Sequence, residues 1–291
     1  MLAVNFKYKI YALNINQHTA SVILTQLSEV DELFIKLLQT LPTEDWQRPT
    51  VARLWTVKDV VAHLLDGNIR VLSMLKDGYF GESPTDFSYD GLVTYLNGLN
   101  ADWVKAMKRV SPQMLITLHQ LTGPLYNQYY ASLNPNDMAP FAVSWAGDTE
   151  SPNWKHIARE YTEKFLHQQQ IRDAIGNTEL LHSHYFTTFL TVFMLGLPHT
   201  YRDIDATNNT VVSVVIAGEF GGNWQIIKTA TDWQLYEPQD IEPAAIITIP
   251  ADISWKLFSK SIRPVDVMNK ITIKGDRPLG ERALQMVAVM A

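Results

Sequence analysis

Over residues 19–41 the apolar positions Val22, Leu27, Val30, Leu33, Phe34, Leu37, Leu38 and Leu41 recur at spacings of three and four, with Glu29, Glu32 and Lys36 between them. That period predicts an amphipathic helix, ended by Pro42. Thr56 followed by Asp59 has the form of a capping box, and Val57, Val60, Val61, Leu64 and Leu65 give the apolar face of a second helix to about Lys76. Gly78, Gly81, Pro84 and Gly91 break the period into a loop before a third helix over residues 91–110, with Leu92, Leu96, Leu99, Trp103 and Met107 inward. Residues 114–121 read as helical, whereas the aromatic, proline-broken stretch to about residue 150 reads as the irregular wall of a pocket. Pro152 opens a fourth long helix to about Ile175, stopped by Gly176 and Asn177, and residues 178–197 form a fifth, closed by Pro198.

After Asp205 the period changes from helical to alternating. VVSVVIAGE, WQIIKTA, WQLYE and AAIITIP are short β-rich runs separated by turn residues, and GEFGGN reads as a hairpin turn, since it lacks the strand-turn-helix setting of a phosphate loop. Helices over residues 253–260 and 279–289 flank one more strand, ITIKG. The expected fold is α followed by α+β: an arm at 1–18, a helical bundle at 19–200 and a smaller α+β unit at 201–291, without internal repeats.

Composition narrows the function. A formal charge of −6 with no Lys/Arg run excludes a general basic field for nucleic acid. With no cysteine in the chain, disulfides, Cys-based zinc sites and cysteine nucleophiles drop out, so any sulfur chemistry needs an external thiol. Lys7 and Lys9 interrupt the apolar N-terminal stretch, which reads as an irregular arm or short strand and not as a signal peptide. The most apolar helix, residues 186–197, falls short of the roughly 20 residues that span a bilayer. A soluble cytoplasmic protein is expected, and a homo-oligomer is left open.

The candidate chemistry sits in YTEKFLHQQQIRDA and WTVKDVVAHLL. Glu163 and His167 stand four apart, a rise of about 6 Å on one helix face, which converging side chains can close to the roughly 2.0–2.2 Å of metal–ligand bonds. Glu160 shares the stripe but lies about 10.5 Å along the axis from His167, so Glu163 is the better partner. A Glu-x-x-x-His pair by itself is common on a wet helix face. The second strand of the argument is His63, whose neighbours Val60 and Leu64 turn it toward the bundle interior, where an imidazole needs a partner. Asp59, one turn earlier, is either a carboxylate that orients His63 or simply the N3 member of the cap. His182 and His184 read as surface residues, and His18, His119 and His199 lack a partner at ligand spacing.

WTVKDVVAHL, SWAG at 144–147 and EKFLHQQQIRDA resemble the DinB-like superfamily, and within it the mycothiol-dependent maleylpyruvate isomerase group. The resemblance implies a DinB-like four-helix bundle whose metal ligands are His63, Glu163 and His167. Gln169 and Gln170 stand around the family's usual acidic position, a departure that bears on the substrate. NKITIKGDRPLGERALQMV resembles the sterol-carrier-protein-2-like C-terminal domain of the same enzymes. The implied function is a metal-dependent enzyme with a low-molecular-weight thiol cosubstrate and an electrophilic small-molecule substrate, acting as S-transferase or cis–trans isomerase. Zinc leads the candidate metals, and iron, nickel or manganese suit the same donors. Arg263 and Arg277 are candidates for an acidic thiol or substrate. Two further readings stand beside this one: a hydrolase with metal-activated water, and a non-catalytic carrier of apolar ligands through the second unit.

Overall fold

The computed structural model describes residues 17–289. Five long helices come first: α1 (Gln17–Thr40), α2 (Val57–Arg70), α3 (Tyr89–Met107), α4 (Pro112–Ala131) and α5 (Asn153–Ala174). α1 and α2 each pack against both α4 and α5, forming a four-helix bundle, while α3 lies along α2. The arm expected at 1–18 lies outside the described residues up to residue 16, and α1 already begins at Gln17. The cap anticipated at Thr56 is present. Thr56 Oγ1 accepts from the Asp59 backbone N–H, and Asp59 Oδ2 accepts from the Thr56 N–H at 3.1 Å. Beyond Arg70 the chain widens into a π-helical turn over Val71–Lys76.

The bundle interior is not wholly apolar. Lys164 of α5, almost fully buried, donates to Asp31 of α1 at 3.0 Å and to the Asn68 side-chain oxygen of α2 at 2.6 Å, so one cation ties three helices. Buried charge survives only when paired and hydrogen-bonded in this way. Gly123 of α4 supplies the space, because a Cβ there would collide with the Asp31 carboxylate.

Two sequence expectations fail for identifiable reasons. α4 runs through Gly123 and Pro124 to Ala131, where the sequence suggested a break. Proline removes one backbone donor, but Tyr126 and Tyr130 on the following turns are fully buried, and tertiary packing of that face outweighs the local penalty. The expected fifth helix is instead segmented into α6 (His184–Phe193), a 3-10 turn at Met194–Gly196 and α7 (Leu197–Thr200), so that Pro198 sits in the first turn of α7 and does not close a helix. First-turn proline is tolerated because its missing N–H has no partner to lose there.

The second unit is a five-stranded sheet in the order β3-β2-β1-β4-β5, with β1 (Val211–Ala217), β2 (Gly222–Lys228), β3 (Trp233–Tyr236), β4 (Ala245–Pro250) and β5 (Thr272–Gly275). β1 pairs with β4 in parallel and all other neighbours are antiparallel, the β1–β2 hairpin turning at the glycine-rich segment as expected. α8 (Ala251–Phe258), the short α9 (Pro264–Val267) and α10 (Arg277–Ala283) complete it. α10 stops at Ala283, short of residue 289; the chain beyond it packs back, the Ala288 N–H bonding the Phe258 carbonyl at 3.0 Å.

The two units meet through polar and apolar contacts. Lys256 of α8 pairs with Asp173 of α5 at 2.6 Å, and Arg282 Nε donates to the Thr200 carbonyl at 2.6 Å. One continuous apolar cluster includes Trp145 and Phe193 from the helical part together with Ile247 and Met286 from the sheet part.

Candidate metal centre

α2 brings His63 and α5 brings Glu163 and His167 to one place. His63 Nε2 lies 3.3 Å and His167 Nε2 3.0 Å from the same oxygen, Glu163 Oε1. The three ligand atoms all fall within 4.8 Å of one another. Helical spacing explains the pair on α5, since residues four apart share a face, and the capping box fixes the start of α2 that carries His63 six residues into the helix. Both imidazoles are buried, whereas the Glu163 side chain is 43% exposed, so the group opens to solvent on its carboxylate side.

Trp55 lies over both rings, its centroid 4.7 Å from that of His63 and 6.3 Å from that of His167. His167 Nδ1 is 2.8 Å from the Gln170 side-chain oxygen. An amide oxygen only accepts, so Nδ1 carries the proton and Nε2 is directed at Glu163. A bare Nε2 lone pair facing a carboxylate oxygen is repulsive unless a proton or a metal ion stands between them. Burial alone lowers the His167 pKa, but the Glu163 carboxylate and Gln170 outweigh it and raise the group above the ordinary histidine value. His63 moves the other way, because burial dominates and the neighbouring His167 adds to it. Partial desolvation would raise Glu163, yet the two imidazoles hold it well below the usual carboxylate range. Without a cation the arrangement thus favours a proton between His167 and Glu163. Two imidazole nitrogens and one carboxylate oxygen converging like this form a donor set that fits a divalent metal ion.

Asp59 is not directed to His63: its carboxylate accepts from Thr56 N–H and Thr56 Oγ1, which is the cap role. His63 Nδ1 is buried without a hydrogen-bond partner among the described residues, and its ring lies tilted against Trp55 and edge-on to His167. Glu160 is occupied by Arg159 at 2.9 Å and by Tyr126 Oη at 2.7 Å; desolvation raises it, but Arg159 foremost and its other partners bring it down to about 2. Arg277 forms an exposed i,i+4 pair with Glu281, and Arg263 an exposed pair with Asp266. Neither arginine makes a described contact with the three ligand candidates. Sequence reasoning did not assign roles to Gln170 and Trp55. The helical offset of three from His167 is the signal for the first; the second required knowing that two distant segments meet.

Fold and site together define a class: a helical bundle with a two-histidine, one-glutamate group between two of its helices, followed by a small α+β unit. The chain belongs to the family of the mycothiol maleylpyruvate isomerase N-terminal domain, whose family model matches residues 27–172 and so spans all three ligand candidates. Two solved structures are similar over both units, a mycothiol-dependent maleylpyruvate isomerase and a histidine-to-alanine mutant of a mycothiol-dependent maleylpyruvate isomerase. Each aligns with a TM-score of 0.52 at 10% identity, covering 84% of this chain and 90% of its own. At that identity the likeness concerns the fold. No curated protein matches the sequence.

Proposed function

We propose that the protein is a metal-dependent enzyme that employs a low-molecular-weight thiol, mycothiol or a thiol like it, as cosubstrate in cis–trans isomerisation or S-transfer. The observation that carries this reading is the convergence of His63 Nε2, His167 Nε2 and Glu163 Oε1 within 4.8 Å, open on the carboxylate side. His63, Glu163 and His167 would hold the ion, and three protein ligands leave room for an exogenous one. A divalent cation at that point supplies the Lewis acidity that keeps a thiol of pKa about 8.5 ionised at neutral pH.

The chain's own residues do the rest. Glu163 offsets part of the charge, Gln170 keeps the His167 proton on Nδ1, and Trp55 packs against both imidazoles. The absence of cysteine means that the sulfur comes with the cosubstrate. In the isomerase form the thiolate adds to a conjugated double bond, the resulting single bond rotates, and elimination returns the thiolate and the other isomer. In the transferase form the sulfur stays on the electrophile, and the proton released from the thiol passes to the leaving group or to solvent.

The test is to strip the protein of metal, restore it with cobalt, and titrate mycothiol and simpler thiols. A saturable thiol-dependent change in the visible spectrum is expected, and it should vanish in His63→Ala. A spectrum indifferent to every thiol would overturn the thiol assignment.

A further inference from the structure

A helix on the outside of a bundle ordinarily turns one apolar stripe inward and covers its opposite face with charge. α4 obeys the first half of that rule: Leu115, Ile116, His119, Gly123, Tyr126 and Tyr130 are all buried. Its outer face carries no charge. Residues 110–136 contain no aspartate, glutamate, lysine or arginine, the longest such stretch in the chain. At the chain's charged content of 19%, 27 residues would carry about five. The one histidine of α4, His119, is turned inward onto the Val61 carbonyl.

In place of charge stands a second apolar stripe. Met114 is 50%, Leu121 63% and Leu125 46% exposed, and the half-buried Leu118 continues the row between the first two. Steps of four, three and four are those of a helix–helix seam, the alternating a and d positions of a heptad. Gln113, Gln120 and Gln128, all exposed on the same helix, offer neutral hydrogen-bonding groups for a rim. A helix apolar on two faces is the pattern of one covered on two faces.

We propose that the cover is a second copy of this chain, and that the protein associates through an antiparallel pairing of α4 with α4. The sequence of steps is the first reason. Four, three, four reads the same from either end, so an antiparallel copy sets Met114 against Leu125 and Leu118 against Leu121, each pair occurring twice about a two-fold axis. Such self-matching is what an isologous dimer requires. The charge pattern selects the same partner: two chains of net charge −6 repel through ordinary surface, and this face lets them meet without opposing like charges. A charged partner of another kind finds nothing here to pair with, and an anionic membrane finds no lysine or arginine to hold its headgroups. None of the three candidate metal ligands lies on α4, so the seam is independent of the proposed thiol chemistry. A helix of 20 residues is about 30 Å long, which puts one such pair at the small end of specific interfaces, about 1,000 Å², and sets association in the micromolar range.

The experiment is sedimentation equilibrium of the full chain across the micromolar range. The mass should rise with concentration from that of one chain toward that of two. Leu121→Glu, which puts a carboxylate without a partner into the seam, should raise the dissociation constant by about tenfold or more while circular dichroism shows the parent's helix content. Met114→Lys and Leu125→Glu should each weaken self-association, and the two variants mixed in equal amounts should associate again, because the antiparallel register sets the two substituted positions opposite each other. A parent that stays monomeric overturns the proposal and leaves the stripe to residues 1–16 of the chain or to an unlike protein. A dimer that Leu121→Glu leaves intact, or a mixture no more associated than its components, overturns it as well.

Discussion

Gln170 makes a single contact that decides the state of His167, accepting from Nδ1 and turning Nε2 toward the shared carboxylate oxygen. Outer partners of this kind typically contribute about 10–100-fold to metal affinity. Gln170→Ala should therefore lower zinc affinity within that range in competition with a chromophoric chelator, with little change in helix content; unchanged affinity would remove Gln170 from the site. His119 offers a separate test at residue scale. It is buried between α2 and α4, bonds the Val61 carbonyl at 2.9 Å, and is lowered to about 4, by burial first and by Lys164 second. Its folded pKa lies below its unfolded value, so the unfolded chain takes up the proton first as pH falls. The stabilisation it contributes is whole above about pH 6.5 and is lost progressively toward pH 4, amounting to about 3 kcal/mol. Urea midpoints measured across that window should fall steeply in the parent and less so in His119→Leu.

Among the elements, the three-helix tie at Lys164 sets the geometry of α5, which carries two of the ligand candidates. Breaking a buried pair by removing one partner typically costs about 3–5 kcal/mol, whereas replacing both by apolar groups recovers much of it. Lys164→Met should fall in that range by urea unfolding, and Asp31→Leu combined with it should be closer to the parent than either single change; additive losses would show that the pair is not coupled. The long helices were legible because their apolar stripes are amphipathic and uninterrupted, and the Thr56 cap because its two residues are local. The ligand trio was partly legible: Glu163 and His167 follow from one helical offset, His63 from its place on the inward face of another helix, and the family resemblance names the three together as ligands. α4 was misread at Pro124 since the force that carries the helix onward is burial of Tyr126 and Tyr130, which is tertiary.

On the scale of the molecule, the apolar cluster that runs without a break from Trp145 and Phe193 to Ile247 and Met286 makes the two units one cooperative body. Calorimetric unfolding should show a single transition, and two resolved transitions would contradict the shared core. Zinc added to metal-free protein should raise that transition by mass action, with the gain lost in Glu163→Gln. The segment after α10 has a further consequence. Met286 packs within 4 Å of the space beside Gly196 and Trp145, and Ala288 bonds back to Phe258. During synthesis the bundle leaves the ribosome many seconds ahead of that segment at about 5–20 residues per second. The helical half must wait with an uncovered greasy flank until its closing clasp emerges, which makes nascent chains halted before residue 284 the forms most in need of a chaperone.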